Sequence, residues 1–345
     1  MNIKIENIKG IDKDDFLKEL QGFPSQINHV LNDENILNNI IENKKYSNIL
    51  ICGMGGSAIG GDLLKSLFQS CITIPIIINR DYSVPSWMDK NTLIILSSYS
   101  GNTEEVLSCY NQCLQRKCKP IIISCGGALL NSAEINKLQF IKVPDGLMPR
   151  SALGYSISIL TKLLNKLNIL SNEAILDLRN SIDILNVDSK EYSNVDLQNN
   201  SAISLALKIH DKFNIIYTSA IMEVVGSRFR AQLAENAKIL SSHFTFPEQN
   251  HNEIEAFENT NTNNLCILWI NDSENHNKIK DRMKITSDIL KNYATNHFIE
   301  FNGSSFLIRE LRTIYFLDWV SFYCSIIFNT NPYPVEKIKK LKSLL

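Results

Sequence analysis

Two stretches of this chain bring glycines and hydroxyls together in a way that suits a phosphate. The first is Gly53-Met54-Gly55-Gly56-Ser57-Ala58-Ile59-Gly60-Gly61-Asp62, and the second is Ser97-Ser98-Tyr99-Ser100-Gly101-Asn102-Thr103-Glu104-Glu105. Glycines such as Gly55 and Gly56 let a backbone turn sharply and approach a ligand closely. Ser57, Ser98, Ser100 and Thr103 supply hydroxyls that can donate to phosphate oxygens. Each stretch follows an apolar run and precedes helical periodicity, so each loop would end at a helix N-terminus, where open N–H groups and the positive dipole end favour an anion. Gly53, Gly55 and Ala58 also fit the dinucleotide pattern G-x-G-x-x-G/A. That scheme wants an acidic residue ending the second strand, and Asp81 instead opens a proline-containing loop with Arg80. It also has no role for the Ser/Thr-rich loop, which fits a sugar phosphate better. A tight turn with no ligand is the remaining reading.

Three further residues could do chemistry. Arg150 lies in Met148-Pro149-Arg150-Ser151-Ala152-Leu153-Gly154-Tyr155, where Ser151 is placed to cap the following helix. A cation beside a helix N-terminus is unfavourable unless it faces an anion; otherwise Arg150 is a solvated surface residue. Glu235, in Leu233-Ala234-Glu235-Asn236-Ala237-Lys238, and His251, in Pro247-Glu248-Gln249-Asn250-His251-Asn252-Glu253, form a carboxylate and imidazole suited to acid/base work near neutral pH. Spacing alone leaves them as a helix-surface charge and a loop histidine. His243, Glu248 and His251 are metal ligands by type, but no helical H-E-x-x-H accompanies them.

The elements that must position these residues alternate. Strands are expected at 48–54, 73–79, 92–98, 120–125 and 140–143, with helices at 63–69 and 104–116 between them. The strands are continuously apolar, as in a parallel sheet covered on both faces. Such alternation implies right-handed crossovers and a doubly wound α/β fold. Before this set, helices are expected at 12–20 and 27–41. After it come helices at 151–170 and 172–185, then a polar stretch at 190–201 that reads as a linker. A second, fainter set has strands at 214–218, 265–271 and 298–301, and helices at 228–240, 278–291 and 309–328. A basic helix at 336–345 follows Asn331-Pro332-Tyr333-Pro334. The two halves read as two copies of one architecture.

Bulk properties narrow the function. The length of 345 residues suits two domains, and 44% hydrophobic content suits sizeable cores. A net charge of -1 speaks against nonspecific nucleic-acid binding. The first ten residues are too polar for a signal peptide, and no apolar run reaches the length of a membrane span. Cys52, Cys125, Cys266 and Cys324 sit in apolar runs as core residues, and Cys109, Cys113 and Cys118 lack paired C-x-x-C spacing. A reducing cytoplasm is the expected compartment.

Taken in order, G-M-G-G-S, S-Y-S-G-N-T, P-R-x-A-x-G, E-N-A-K and P-E-x-x-H-N-E resemble the bifunctional phosphoglucose/phosphomannose isomerases of the sugar isomerase (SIS) superfamily. S-Y-S-G-N-T alone marks the superfamily; the combination is more specific, and the likeness runs from about residue 45 to the C-terminus. The resemblance implies two SIS domains, each a flavodoxin-like three-layer α/β/α sandwich with a parallel sheet, at 46–190 and 191–345 after a helical segment at 1–45. It implies that Gly55, Gly56, Ser57, Ser98, Ser100 and Thr103 bind the substrate phosphate. It makes Glu235 the proton-transferring base and Arg150 the stabiliser of an enediolate. His251 would act in ring opening, donated by the partner subunit of a homodimer. A C-terminal lysine assists; among Lys339, Lys340 and Lys342, the pattern I-x-x-L-K favours Lys342. No cofactor or metal is implied. Fructose 6-phosphate, glucose 6-phosphate and mannose 6-phosphate are the implied substrates. One departure is Tyr333, where the family carries threonine in D-P-T-P; a tyrosine there would narrow the site. The competing readings are an isomerase of another phosphosugar and a sugar-phosphate-sensing regulator, although the latter would want a basic recognition helix.

Overall fold

A computed structural model describes residues 4–41, 44–196, 200–261 and 263–344. It has two compact units, Gly22–Ile182 and a second made of Met1–Gln21 with Asp183–Leu345. The N-terminal helices α1 (Ile5–Ile11) and α2 (Phe16–Gln21) belong to the second unit. The helix expected at 12–20 starts only at Phe16, because the Asp12 carboxylate accepts from the amides of Phe16 and Leu17, both at 2.8 Å.

The unit Gly22–Ile182 opens with α3 (Phe23–Asn32) and continues as β1 (Asn48–Cys52), α4 (Gly55–Phe68), β2 (Ile76–Asn79), β3 (Thr92–Ser97), α5 (Glu104–Gln115), β4 (Ile121–Ser124), α6 (Gly127–Ile135), β5 (Phe140–Lys142) and α7 (Leu153–Lys166). Its strands form one parallel sheet in the order β2-β1-β3-β4-β5. This is the flavodoxin-like order, whose switch point lies between β1 and β3. Alternation along each strand divides the side chains between two layers. Leu50, Cys52, Ile94, Leu96 and Ile122 pack with Val106, Cys109 and Tyr110 of α5 and Leu129 of α6. On the opposite face, Ile51 and Ile78 lie against Gly61 of α4. Both faces are thus covered, which is why the strands carry no polar alternation.

The second unit takes in the end of α8 (Asn172–Ser193), then α9 (Ser201–Ile209), β6 (Phe213–Ser219), α10 (Glu223–Gln232), β7 (Ser241–Phe246), β8 (Leu265–Ile270), α11 (Asn277–Leu290), β9 (Thr295–Ile299), α12 (Phe306–Ile327) and α13 (Glu336–Lys342). Its parallel sheet runs β7-β6-β8-β9, the first sheet's pattern without a fifth strand. The expected linker at 190–201 begins inside α8, and residues 197–199 lie outside the described residues. The strand β7 is not among the expected ones. Its sequence, Ser-Ser-His-Phe-Thr-Phe, is mostly polar, as suits an edge strand with only β6 beside it. The helix expected at 228–240 correspondingly ends early.

The long helix α12 is almost wholly buried, yet three of its charged side chains are paired within its unit. Asp318 binds Arg228, Arg309 binds Asp272, and Arg312 binds Asp188. Among the described residues, no helix is long and apolar enough to cross a membrane.

Candidate active site

The phosphate-type loops lie at the carboxyl ends of β1 and β3, the two strands flanking the switch point, where ligands of such sheets bind. The first is shorter than its glycine run suggests. Only Gly53 and Met54 separate β1 from α4, which already starts at Gly55. Gly60 and Gly61 serve packing: a Cβ on Gly60 would meet the Ser156 hydroxyl at 1.9 Å, and one on Gly61 would meet Ile78 at 2.9 Å. Gly55 sits at φ +49°, in the left-handed region that favours glycine. Met54 offers no side-chain cap, and the first turn of α4 contains no acidic residue. The amides of Gly55 and Gly56 therefore stand at an open, positive helix end. The first turn of α5, by contrast, carries Glu104 and Glu105. An anion at the second loop would meet hydroxyls more than a helix dipole.

Those hydroxyls are oriented by the backbone. Ser57 Oγ accepts from the Tyr99 amide at 3.1 Å, which joins the two loops. Ser98 Oγ accepts from the Gly101 amide at 3.1 Å and lies 2.8 Å from Thr103 Oγ1. Ser100 Oγ accepts from the Asn102 amide at 3.3 Å. A hydroxyl that accepts a backbone bond keeps its own proton to donate. Ser57 and Ser100 are therefore set to donate, as is one member of the Ser98–Thr103 pair. A cavity of about 20 Å³ beneath the loops is lined by Gly56, Ser57, Ser97, Tyr99, Pro149 and Ser156, among others. It has room for one water and none for a sugar.

Arg150 occupies the short 3-10 turn Pro149–Ser151 and is only 4% exposed. The solvated-surface reading is therefore wrong. Its turn abuts the first loop: a Cβ on Gly56 would lie 3.2 Å from the Arg150 Cα. The capping role expected of Ser151 is also wrong. Ala152 is the N-cap of α7, and the buried Ser151 hydroxyl has no hydrogen-bond partner among the described residues. Gln26 of α3 does the work instead, donating to the Ser151 carbonyl at 2.8 Å and accepting from the Tyr155 amide at 3.3 Å. No local pattern announces a partner so far away in the chain.

In the second unit, Glu235 lies in a π-helical turn, Leu233–Ala237, that continues α10. Such wide turns recur at functional sites. Its neighbours fasten it to α12. Arg228 binds Asp318 through two nitrogens, Gln232 donates to the same carboxylate at 3.0 Å, and Asn236 donates to Ser321 Oγ at 2.9 Å. Lys238, at φ +61°, ends the turn; its Nζ donates to the Glu235 carbonyl and to the Pro334 carbonyl. Glu235 is half-buried on this fixed frame.

His251 ends the 3-10 turn Glu248–His251 and is exposed. Its loop is held by Asn250, which donates to Thr286 Oγ1 of α11 at 2.9 Å, and by Asn252, which donates to Glu248 at 3.2 Å. His243 is placed otherwise. Nε2 lies 2.9 Å from Thr218 Oγ1 and Nδ1 3.3 Å from Ser227 Oγ, so hydroxyls occupy both ring nitrogens. Burial, reinforced by nearby Arg230, pushes its pKa down to about 4. Lys342 closes α13 and is exposed, while Lys339 pairs with Glu336 at 3.1 Å. The ring of Tyr333 packs edge-on against Phe16 at 6.5 Å, and its amide donates to Asn331.

Comparison with known proteins decides the family. The model for the bacterial phospho-glucose isomerase C-terminal SIS domain matches residues 198–345, and that for the SIS domain matches residues 40–133. A bifunctional phosphoglucose/phosphomannose isomerase of Caldicellulosiruptor bescii is 39% identical over 303 residues, covering 86% of this chain and 89% of its own. The chain belongs to the bifunctional phosphoglucose/phosphomannose isomerase family. A second member, from Aquifex aeolicus, is 30% identical over 306 residues, covering 87% of this chain and 91% of its own. A hypothetical protein of Thermus thermophilus has a similar fold, with TM-score 0.71 at 14% identity over 99% of this chain and 89% of its own. The two parallel sheets are those of SIS domains, as the sequence led us to expect.

Proposed function

We propose that this member of the family interconverts fructose 6-phosphate with glucose 6-phosphate, mannose 6-phosphate or both. The observation that carries the reading is the set of oriented hydroxyls beside an uncapped, acid-free helix end at the carboxyl ends of β1 and β3. In this reading the phosphate docks on Gly55, Gly56, Ser57, Ser98, Ser100 and Thr103 and fixes the register of the sugar. His251, with Lys342, opens the ring by moving a proton between the ring oxygen and the hydroxyl. Glu235 removes the proton at C2 of the aldose and returns it at C1, through a cis-enediolate, while the hydroxyl proton passes from O2 to O1. Arg150 stabilises the developing oxyanion, a fixed charge of the kind that supplies much of catalysis. The exposure of His251 supports its donation across a homodimer interface. We take the functional domains as 46–190 and 191–345 and the compartment as the cytoplasm.

The assigned lysine is distinguished by substitution. Lys339 pairs with Glu336 at the exposed surface, where such pairs are weak. Lys340 and Lys342 differ by two helical positions, about 200° around α13, so one substrate meets only one of them. Lys342→Met lowers turnover in our assignment; loss in Lys340→Met alone transfers the role.

The test is a coupled assay on purified protein supplied with fructose 6-phosphate, with the two aldose products scored separately. Both products establish dual use. Glucose 6-phosphate alone retains the chemistry and makes Tyr333 the first suspect for a narrowed site. Neither product refutes the proposal and leaves another phosphosugar to be sought.

A further inference from the structure

Tyr99 stands between the serines of S-Y-S-G-N-T, and no role above uses its side chain. Its bonds span the whole phosphate region. The Tyr99 amide donates to Ser57 Oγ at 3.1 Å, and its carbonyl accepts from the Cys125 amide at 3.0 Å. Its phenol donates to the Pro144 carbonyl at 2.9 Å and accepts from the Leu147 amide at 3.1 Å. One hydroxyl thus closes both ends of the turn at 144–147, whose Gly146 takes φ +90°. Leu147 stands three residues before Arg150, and the Ser151 amide donates back to the Met148 carbonyl at 2.8 Å. The segment carrying Arg150 is therefore hung from a side chain of the phosphate loop itself.

We propose that Tyr99 is a positioning residue that sets Arg150 relative to the phosphate-binding loops. This rests on the function proposed above. A phenylalanine at 99 fills the same space but can neither donate to Pro144 nor accept from Leu147. The turn would relax, and Arg150 would shift while the hydroxyls of Ser57, Ser98 and Ser100 stay. A displacement of about 1 Å at a catalytic group costs up to about a hundredfold in rate.

The experiment is a double-mutant cycle of Tyr99→Phe and Arg150→Ala, read by steady-state kinetics on fructose 6-phosphate. Tyr99→Phe alone is expected to lower kcat about tenfold or more with little change in KM. In the Arg150→Ala background the same substitution is expected to cost less than about twofold. Equal losses in both backgrounds, or no loss in either, would overturn the inference. An inactive wild type would instead overturn the function, and the inference with it. If Tyr99→Phe did not fold, hydrogen exchange in the wild type decides. The Leu147 amide should be protected and should gain protection with sorbitol 6-phosphate, which has no carbonyl to react. Exchange at Leu147 that ignored this ligand would refute the coupling.

Discussion

A side chain on Gly56 would put its Cβ 2.5 Å from the carbonyl oxygen of Pro149. The atom it meets is backbone, which cannot swing aside as a side-chain tip does. Gly56 is therefore what allows the Arg150 turn to approach the N-terminus of α4. Gly56→Ala should push the turn away, lower kcat/KM by roughly a hundredfold and cost about 1–3 kcal/mol in stability. Parallel kinetics and melting curves check this; near-normal kcat/KM would show that the close approach is dispensable.

The frame under Glu235 depends on a buried ion pair. Arg228 Nη2 lies 2.7 Å from Asp318 Oδ2, with the two side chains 5% and 6% exposed. Removing one partner strands the other charge out of water. Asp318→Ala should cost about 3–5 kcal/mol in urea unfolding. An apolar double replacement, Arg228→Met with Asp318→Leu, should recover only part of that stability, because buried Gln232 loses its acceptor, and should fail to restore the turn that carries Glu235. Full activity in the double variant would show that the pair contributes nothing to the site.

His243 gives the fold a pH dependence of known sign. Its pKa falls from an ordinary 6.5 to about 4 on folding, because the buried ring resists protonation. Stability from the neutral ring is complete above about pH 6.5 and is lost as pH falls towards 4, since the unfolded chain then binds the proton more readily. The loss approaches about 3 kcal/mol. His243→Gln should flatten the stability profile over that window. An unchanged slope would place the pH dependence elsewhere.

The sequence displays what local chemistry dictates and hides what distant partners decide. The apolar runs of β1, β3 and β4 are legible because a strand covered on both faces needs no polar residue. The hydroxyls of Ser57, Ser98, Ser100 and Thr103 stand out because few structural turns need so many. The edge strand β7 is hidden by its mostly polar sequence, and the early start of α4 by glycines that in a helix interior usually signal a break. Gly60 and Gly61 are tolerated there because Ser156, Ile51 and Ile78 press against them. The burial of Arg150 and the capping of the following helix by Gln26 lie beyond reach, since the capping hydrogen bond joins residues 129 positions apart.

If Glu235 carries a substrate proton between C1 and C2, solvent exchange reveals it: wild-type protein and Glu235→Gln are incubated with fructose 6-phosphate in deuterium oxide and the sugar is followed by NMR. Wild type is expected to place deuterium at C2 of the aldose product and at C1 of recovered ketose. Glu235→Gln is expected to place it at neither, at equal thermal stability; a general base is worth roughly 10²–10⁴-fold in rate. Deuterium incorporation at the wild-type rate by Glu235→Gln would contradict this role of Glu235.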